Sequence, residues 1–150
     1  RFLDGVNYVN APALARERGI VVKEARASQP TDFVNSITVR VTRAAGTQVV
    51  EGAVFGTNIL RLVRIDDFYM EAVPEGYVLM LNNRDVPGVV GRVGTMLGQH
   101  GINIAGLELG REKAGGMAIS FVHVDEAVPE SVLAELRRSP DIVAAQLLQL

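Results

Sequence analysis

Between Tyr77 and Leu150 the apolar segments alternate in kind, in an order that few folds accommodate. Tyr77–Leu81 is a short apolar run closed by Asn82-Asn83. It is too short for a helix and reads as a buried strand. Pro87 suits a first helical position, where its missing N–H has no intrahelical acceptor. Val89, Val93, Met96, Leu97 and His100 then recur at helical spacing, and Gly101 caps the end. Residues 102–110 and 117–125 read as strands, turned through Gly115-Gly116. Pro129 opens a second helix with Val128, Val132, Leu133 and Leu136 on one stripe, and residues 141–150 finish as a strand. The order β-α-β-β-α-β predicts a ferredoxin-like sandwich, with both helices on one face of four strands. Those strands are apolar on both alternations: Ala118, Ser120, Val122 and Val124 on one, Met117, Ile119 and Phe121 on the other. The face without helices, or a sheet edge, is therefore expected to meet another subunit or domain.

The first half is less regular. Residues 11–18 carry Leu14 among good helix formers, with Gly19 as a stop. Residues 20–27, 33–44, 47–55 and 59–65 read as strands, and Ala45-Gly46 and Asp66-Asp67 as hairpin turns. Ile37, Val39 and Val41 alternate with Ser36, Thr38, Arg40 and Thr42, the pattern of one covered and one wet face. The Val73–Gly76 stretch is a turn signal and marks a boundary between residues 1–74, a small α+β domain built on an antiparallel sheet, and residues 75–150. The 150 residues carry a net charge of −2, are 48% hydrophobic and contain no cysteine. That composition excludes disorder, a disulfide scaffold, thiolate metal sites and a cysteine nucleophile. The near-neutral balance argues against a general nucleic-acid binder. No apolar run approaches a membrane span, and a soluble cytoplasmic protein is expected. The chain begins at Arg1 in mid-pattern, as a piece of something larger would.

Catalytic motifs are missing from the sequence. His100 falls at a helix C-terminus, where the macrodipole favours it, and His123 lies mid-strand without a ligand set around it. Gly91, Gly94 and Gly98 lie within a helix instead of opening one, so they form no dinucleotide loop. On one helix side, opposite Val89, Val93 and Leu97, they suit close approach of a helix or loop from another domain or subunit. The chemistry concentrates in the Asn82–Gly88 loop, which is short, polar and feeds a helix N-terminus where free N–H groups favour an anion. Gly88 leaves room for approach. Asp85 suits an ammonium, while Asn83 and Asn103 donate and accept, and strands adjacent in the fold are expected to bring the two together. A small zwitterion fits, with its carboxylate toward the helix and its amine toward Asp85 and an Asn. Asp85 as a simple capping carboxylate is the alternative.

The stretch Asp85-Val-Pro-Gly88 through Gly101-Ile-Asn-Ile104, with Gly116-Met-Ala-Ile-Ser beyond, resembles the ACT domain, a small-molecule sensor of amino-acid metabolism. Val9-Asn-Ala-Pro-Ala-Leu-Ala-Arg-Glu-Arg-Gly-Ile20 and Phe33-Val-Asn-Ser-Ile-Thr-Val39 resemble the allosteric substrate-binding (intervening) domain of the long-form D-3-phosphoglycerate dehydrogenase family. The resemblance implies a regulatory fragment of an NAD-dependent oxidoreductase of serine biosynthesis. It would bind L-serine at an ACT dimer interface, with no catalytic site and no cofactor of its own. Asn83, Asp85 and Asn103 match the family's effector positions, with Val86 and Gly88 in the same loop. Asn83 stands where relatives often carry His or Tyr, and Val86 replaces a frequent Arg. The family also implies an anion site, for which Arg61, Arg64 and His123 are the candidates. At i and i+3 the two arginines face opposite ways on a strand unless a bulge intervenes. Two rival readings are the regulatory part of an iron–sulfur L-serine dehydratase beta subunit and an association module whose ligand site has decayed.

Overall fold

A computed structural model describes residues 5–22, 35–44 and 46–150. The chain divides before Phe33 into two units. The first contains helix α1 (Ala11–Glu17), with Pro12 in its first turn. Its entry is fixed by two asparagines: Asn7 Oδ1 accepts from the Val9 and Asn10 amides at 2.9 and 3.0 Å, and Asn10 Oδ1 from the Asn7 amide at 2.7 Å. Of the strand expected over residues 20–27, Ile20–Val22 are not strand and the rest lies outside the described residues.

The second unit holds two four-stranded antiparallel sheets. One runs in the order β1 (Ser36–Arg43), β2 (Gly46–Phe55), β3 (Ile59–Ile65), β4 (Phe68–Ala72). Asp66-Asp67 makes the expected tight turn from β3 to β4, and Asp66 takes φ 50°, a conformation that Asp tolerates better than most residues. Strand β4 itself was not expected. The other sheet contains β5 (Tyr77–Arg84), β6 (Ile104–Arg111), β7 (Met117–Val124) and β8 (Ile142–Gln149), in the spatial order β6-β7-β5-β8. Helices α2 (Val89–Gln99) and α3 (Glu130–Arg137) lie in the β5-α2-β6 and β7-α3-β8 connections. This is the ferredoxin-like arrangement that the sequence predicts. Pro87 precedes the helix by two residues instead of opening it, because Gly88 takes the capping position at φ 90°, a backbone geometry in which a Cβ is strained.

Both faces of the second sheet are buried. On one, Val89, Val93 and Leu97 of α2 and Val132, Leu133 and Leu136 of α3 pack with Leu79, Leu81, Val122 and Val124. On the other, Val78, Ile119 and Phe121 form a core with Ala72, and Leu62, Ile65, Phe68, Met70, Met80 and Leu148 pack around it. The expected cover for this face is thus the chain's own first sheet. The two sheets approach closely at Gly110, where a Cβ would stand 2.9 Å from the Tyr69 carbonyl oxygen and 3.2 Å from the end of Met70, and 3.2 Å from Ile119 of the neighbouring strand.

The covering stops at β3 and β4. Ile37, Val39 and Val41 on β1 are 74%, 52% and 41% exposed, so the alternation of β1 marks an apolar face that no described residue covers. Ile37 and Val39, with Val50, Val54 and Leu60, line an open concavity of about 540 Å³.

Gly110→Val forces a side chain against backbone and is expected to cost about 1–3 kcal/mol. It should also expose the Val73–Gly76 connection to protease. Urea unfolding and limited proteolysis check this; an unchanged midpoint and cleavage rate would mean that sheet docking does not depend on the close approach.

Candidate functional site

The Asn82–Gly88 loop leaves the end of β5 and is tied down on both sides. The Arg84 amide donates to the Asp141 carbonyl at 2.9 Å, and the Asp85 amide to the Gly116 carbonyl at 2.9 Å. The loop therefore rests on the start of β8 and on the β6–β7 hairpin before it enters α2. Gly88 again matters here: a Cβ would lie 3.1 Å from Arg92 Nη1, whose guanidinium folds back over the helix start and pairs with Asp141.

Asp85 does not cap the helix: no side chain makes a cap hydrogen bond to α2. Its Oδ2 accepts from the Gly115 amide at 3.3 Å and faces Arg111 Nη1 at 3.4 Å. Its side chain is 21% exposed, against 58% for Arg111. The carboxylate is thus fixed beside the helix N-terminus by the hairpin and remains accessible.

Asn83 lies beneath this loop, fully buried. Its Oδ1 accepts from the Ser120 hydroxyl at 2.9 Å, and its amide donates to the Arg84 carbonyl at 2.9 Å. Facing the helix side with Leu79 and Leu81, it holds the loop from below. Asn103 is elsewhere. Its amide donates to Asp125 Oδ2 at 2.7 Å, next to the end of β7 that pairs with Ile104, whereas Asn83 pairs with Ala118 at the other end. Those ends are about 20 Å apart at the rise of an extended strand. The expectation that adjacent strands bring Asn83 and Asn103 together within one chain therefore fails: the residues flank β6 and β7 at opposite ends. Val86 is 36% exposed at the loop surface.

The candidate anion residues do not converge either. Both ladders of β3 shift register between Leu62 and Arg64, so a bulge does intervene at Val63. Arg61 and Arg64 stand opposite Ala53 and Glu51, which share one face of β2. Each is spent locally. Arg61 Nη1 donates to the Leu60 carbonyl at 2.9 Å, and Arg64 Nε to the Asp66 carbonyl at 2.5 Å, with its guanidinium 5.6 Å from the Tyr69 ring centre. His123 Nε2 faces Glu108 Oε2 at 3.2 Å in a buried setting, where an incoming anion would meet a carboxylate. Among the described residues no hydrogen bond or ion pair joins any two of the three.

Sequence reasoning passed over Arg111, Ser120 and Glu108. Only the hairpin register, which sets Arg111 across from Ala118, brings Arg111 level with the loop. Nor did it single out the apolar edge formed by Val90, Ile104, Leu107 and Leu109, which are 50%, 37%, 42% and 41% exposed. Gly94 lies against that edge, 4.0 Å from Ile104 Cδ1, while Gly91 and Gly98 have open space where a Cβ would stand. Among the described residues strand β6 pairs only with β7, leaving its outer ladder open beside this strip. Among the described residues, no group of three or more acidic, His or Cys side chains is placed to hold a metal, and no helix is long and apolar enough to cross a membrane.

Residues 1–66 match the family model described as the D-3-phosphoglycerate dehydrogenase intervening domain, and residues 77–141 match the ACT domain. Among similar proteins, the D-3-phosphoglycerate dehydrogenase of Bacillus subtilis is 37% identical over 145 residues, covering 97% of this chain and 28% of that protein. The D-3-phosphoglycerate dehydrogenase of Synechocystis is 33% identical over 145 residues, covering 97% and 26%. That of Methanocaldococcus jannaschii is 32% identical over 140 residues, covering 93% and 26%. The chain thus spans little more than a quarter of the relatives it matches.

Ser120→Ala leaves the buried Asn83 oxygen without its donor and is expected to cost about 1–3 kcal/mol. The double variant Asn83→Leu/Ser120→Ala, which removes both polar partners, should recover part of that loss. Denaturant titration of the set checks it: full additivity would mean that the two groups do not depend on each other.

Proposed function

We propose, from the premise that this chain belongs with the regulatory part of D-3-phosphoglycerate dehydrogenase, that it senses L-serine and adjusts the parent enzyme's output. Residues 1–74 serve as the intervening domain and 75–150 as the ACT domain. The observation that carries the reading is Asp85: a carboxylate, partly shielded and anchored by the β6–β7 hairpin, set at the start of a helix. The L-serine ammonium pairs with Asp85, and its carboxylate lies toward the N-terminal turn of α2, where unpaired amides and the helix dipole favour negative charge. Asn83 supports the loop through Ser120.

The site is completed by a second copy. Asn103 is too far from Asp85 within one chain, but β6 has a free edge with an apolar strip beside it. Antiparallel pairing of two such edges about Leu107 sets Asn103 of one copy across from Arg111 of the other, next to Asp85. Burial of the strip drives the pairing, and the small side of α2 at Gly91, Gly94 and Gly98 lets the second copy approach. Effector binding and oligomer formation are thereby one event. The catalytic and NAD-binding domains belong to parts of a cytoplasmic parent that lie outside this chain. The relatives named above favour that parent over an L-serine dehydratase.

Titration calorimetry with L-serine, glycine, phosphoserine and phosphohydroxypyruvate is expected to show heat for L-serine. L-Serine at about one hundred times its Kd should stabilise the fold by ~2.7 kcal/mol, seen as a raised Tm. Asp85→Ala should abolish both signals while leaving the unliganded Tm near that of the parent sequence. Leu107→Glu should yield monomers in sedimentation experiments and lose the L-serine signal with them. Silence for every metabolite would overturn the reading.

A further inference from the structure

Four cationic side chains lie on or near the Asp85 loop, and they differ in how they are committed. Arg92 closes on Asp141 in an ion pair. Arg84 alternates to the face opposite Asn83. Lys113 folds over the hairpin, with its Cγ 3.1 Å from the position of a Cβ on Gly116. Arg111 alone points at Asp85, and its hold is slack. A single nitrogen approaches a single carboxylate oxygen at 3.4 Å, where a charge-assisted contact is ordinarily 2.7–2.9 Å. The fork that suits arginine to bidentate carboxylate recognition is not used on Asp85, and the side chain is 58% exposed.

We infer that Arg111 is the specificity residue that closes on the effector's carboxylate where it lies toward the N-terminal turn of α2, so that the site selects α-amino acids over simple amines. The inference rests on the proposed reading of Asp85 as the ammonium partner. In an α-amino acid the two charges are separated by one carbon, and the Asp85–Arg111 pair presents their complements side by side. When the ammonium takes Oδ2 of Asp85, the guanidinium is released from its loose contact and turns its fork to the carboxylate. One ion pair is exchanged for two, with no charge left unpaired. The Gly115 amide, also on Oδ2 at 3.3 Å, keeps Asp85 in place through the exchange. Because Arg111 ends β6, the same strand whose edge offers the pairing surface, the anchor sits where Asn103 of a second copy arrives.

The test compares L-serine with L-serinamide, which keeps the ammonium and replaces the carboxylate by a neutral amide, using calorimetry on the full 150-residue chain. Arg111→Gln is expected to weaken L-serine at least tenfold and L-serinamide less than twofold, and Arg111→Lys to fall between for L-serine. Equal weakening for both compounds would mean that Arg111 acts only by holding Asp85, and would overturn the inference. So would an Arg111→Gln variant that binds L-serine like the parent sequence, in which case the L-serine reading itself stands. A parent sequence that binds no L-serine removes the reading and the inference together.

Discussion

A β-sheet with two apolar faces is the constraint on which the rest of this chain depends. The β6-β7-β5-β8 sheet cannot leave either face in water, and the two are satisfied differently. Helices α2 and α3 cover one through Val93, Leu97, Val132 and Leu136, while β3 and β4 cover the other through Leu62, Ile65 and Phe68. A strand held from both sides has little freedom, and the loop at its end inherits that rigidity. The Asn82–Gly88 segment is polar and irregular. It keeps one shape because Asn83 is bonded beneath it and its backbone is bonded to Asp141 and Gly116. Recognition of a small polar molecule requires such a fixed frame, since ordering a loop at the moment of binding would consume much of the interaction.

The electrostatics of the loop follow the same economy. Two opposed pairs flank it: Arg92 with Asp141, and Arg111 with Asp85. A molecule with one charge would leave a partner stranded, whereas a zwitterion exchanges with a pair and preserves neutrality. This sets the Asp85 loop apart from the His123–Glu108 pair, whose facing atoms are enclosed.

Much of this was legible in the residues. The order of elements after Tyr77, the hairpin at Gly115-Gly116 and the tight turn at Asp66-Asp67 all follow from periodicity and turn chemistry that act within a few residues. What was not legible depends on long-range register. Phe68, Met70 and Ala72 pack toward the second sheet while Tyr69 turns outward beside Arg64, an alternation too short, with an aromatic on each side, to stand out from the residues alone. The burial of Asn83 depends on a hydroxyl 37 residues away. Asn103 looked like a neighbour of Asn83 because strand adjacency is readable from topology, whereas which end of a strand a residue occupies relative to another is set by antiparallel direction. The alternation of β1 identified an apolar side correctly, but alternation carries no information on whether a second layer extends that far.

The contact at Gly110 adds a mechanical property. With a hydrogen where other residues carry carbon, the end of β6 rides directly on the backbone of Tyr69, with no intervening side chain to act as a cushion. The neighbouring residue is Arg111, which faces Asp85. A displacement at the loop is thus separated from the first sheet by a single peptide unit, and two rigid backbones in hard contact transmit motion instead of damping it. Whatever moves Arg111 is felt as a push or a release at Tyr69.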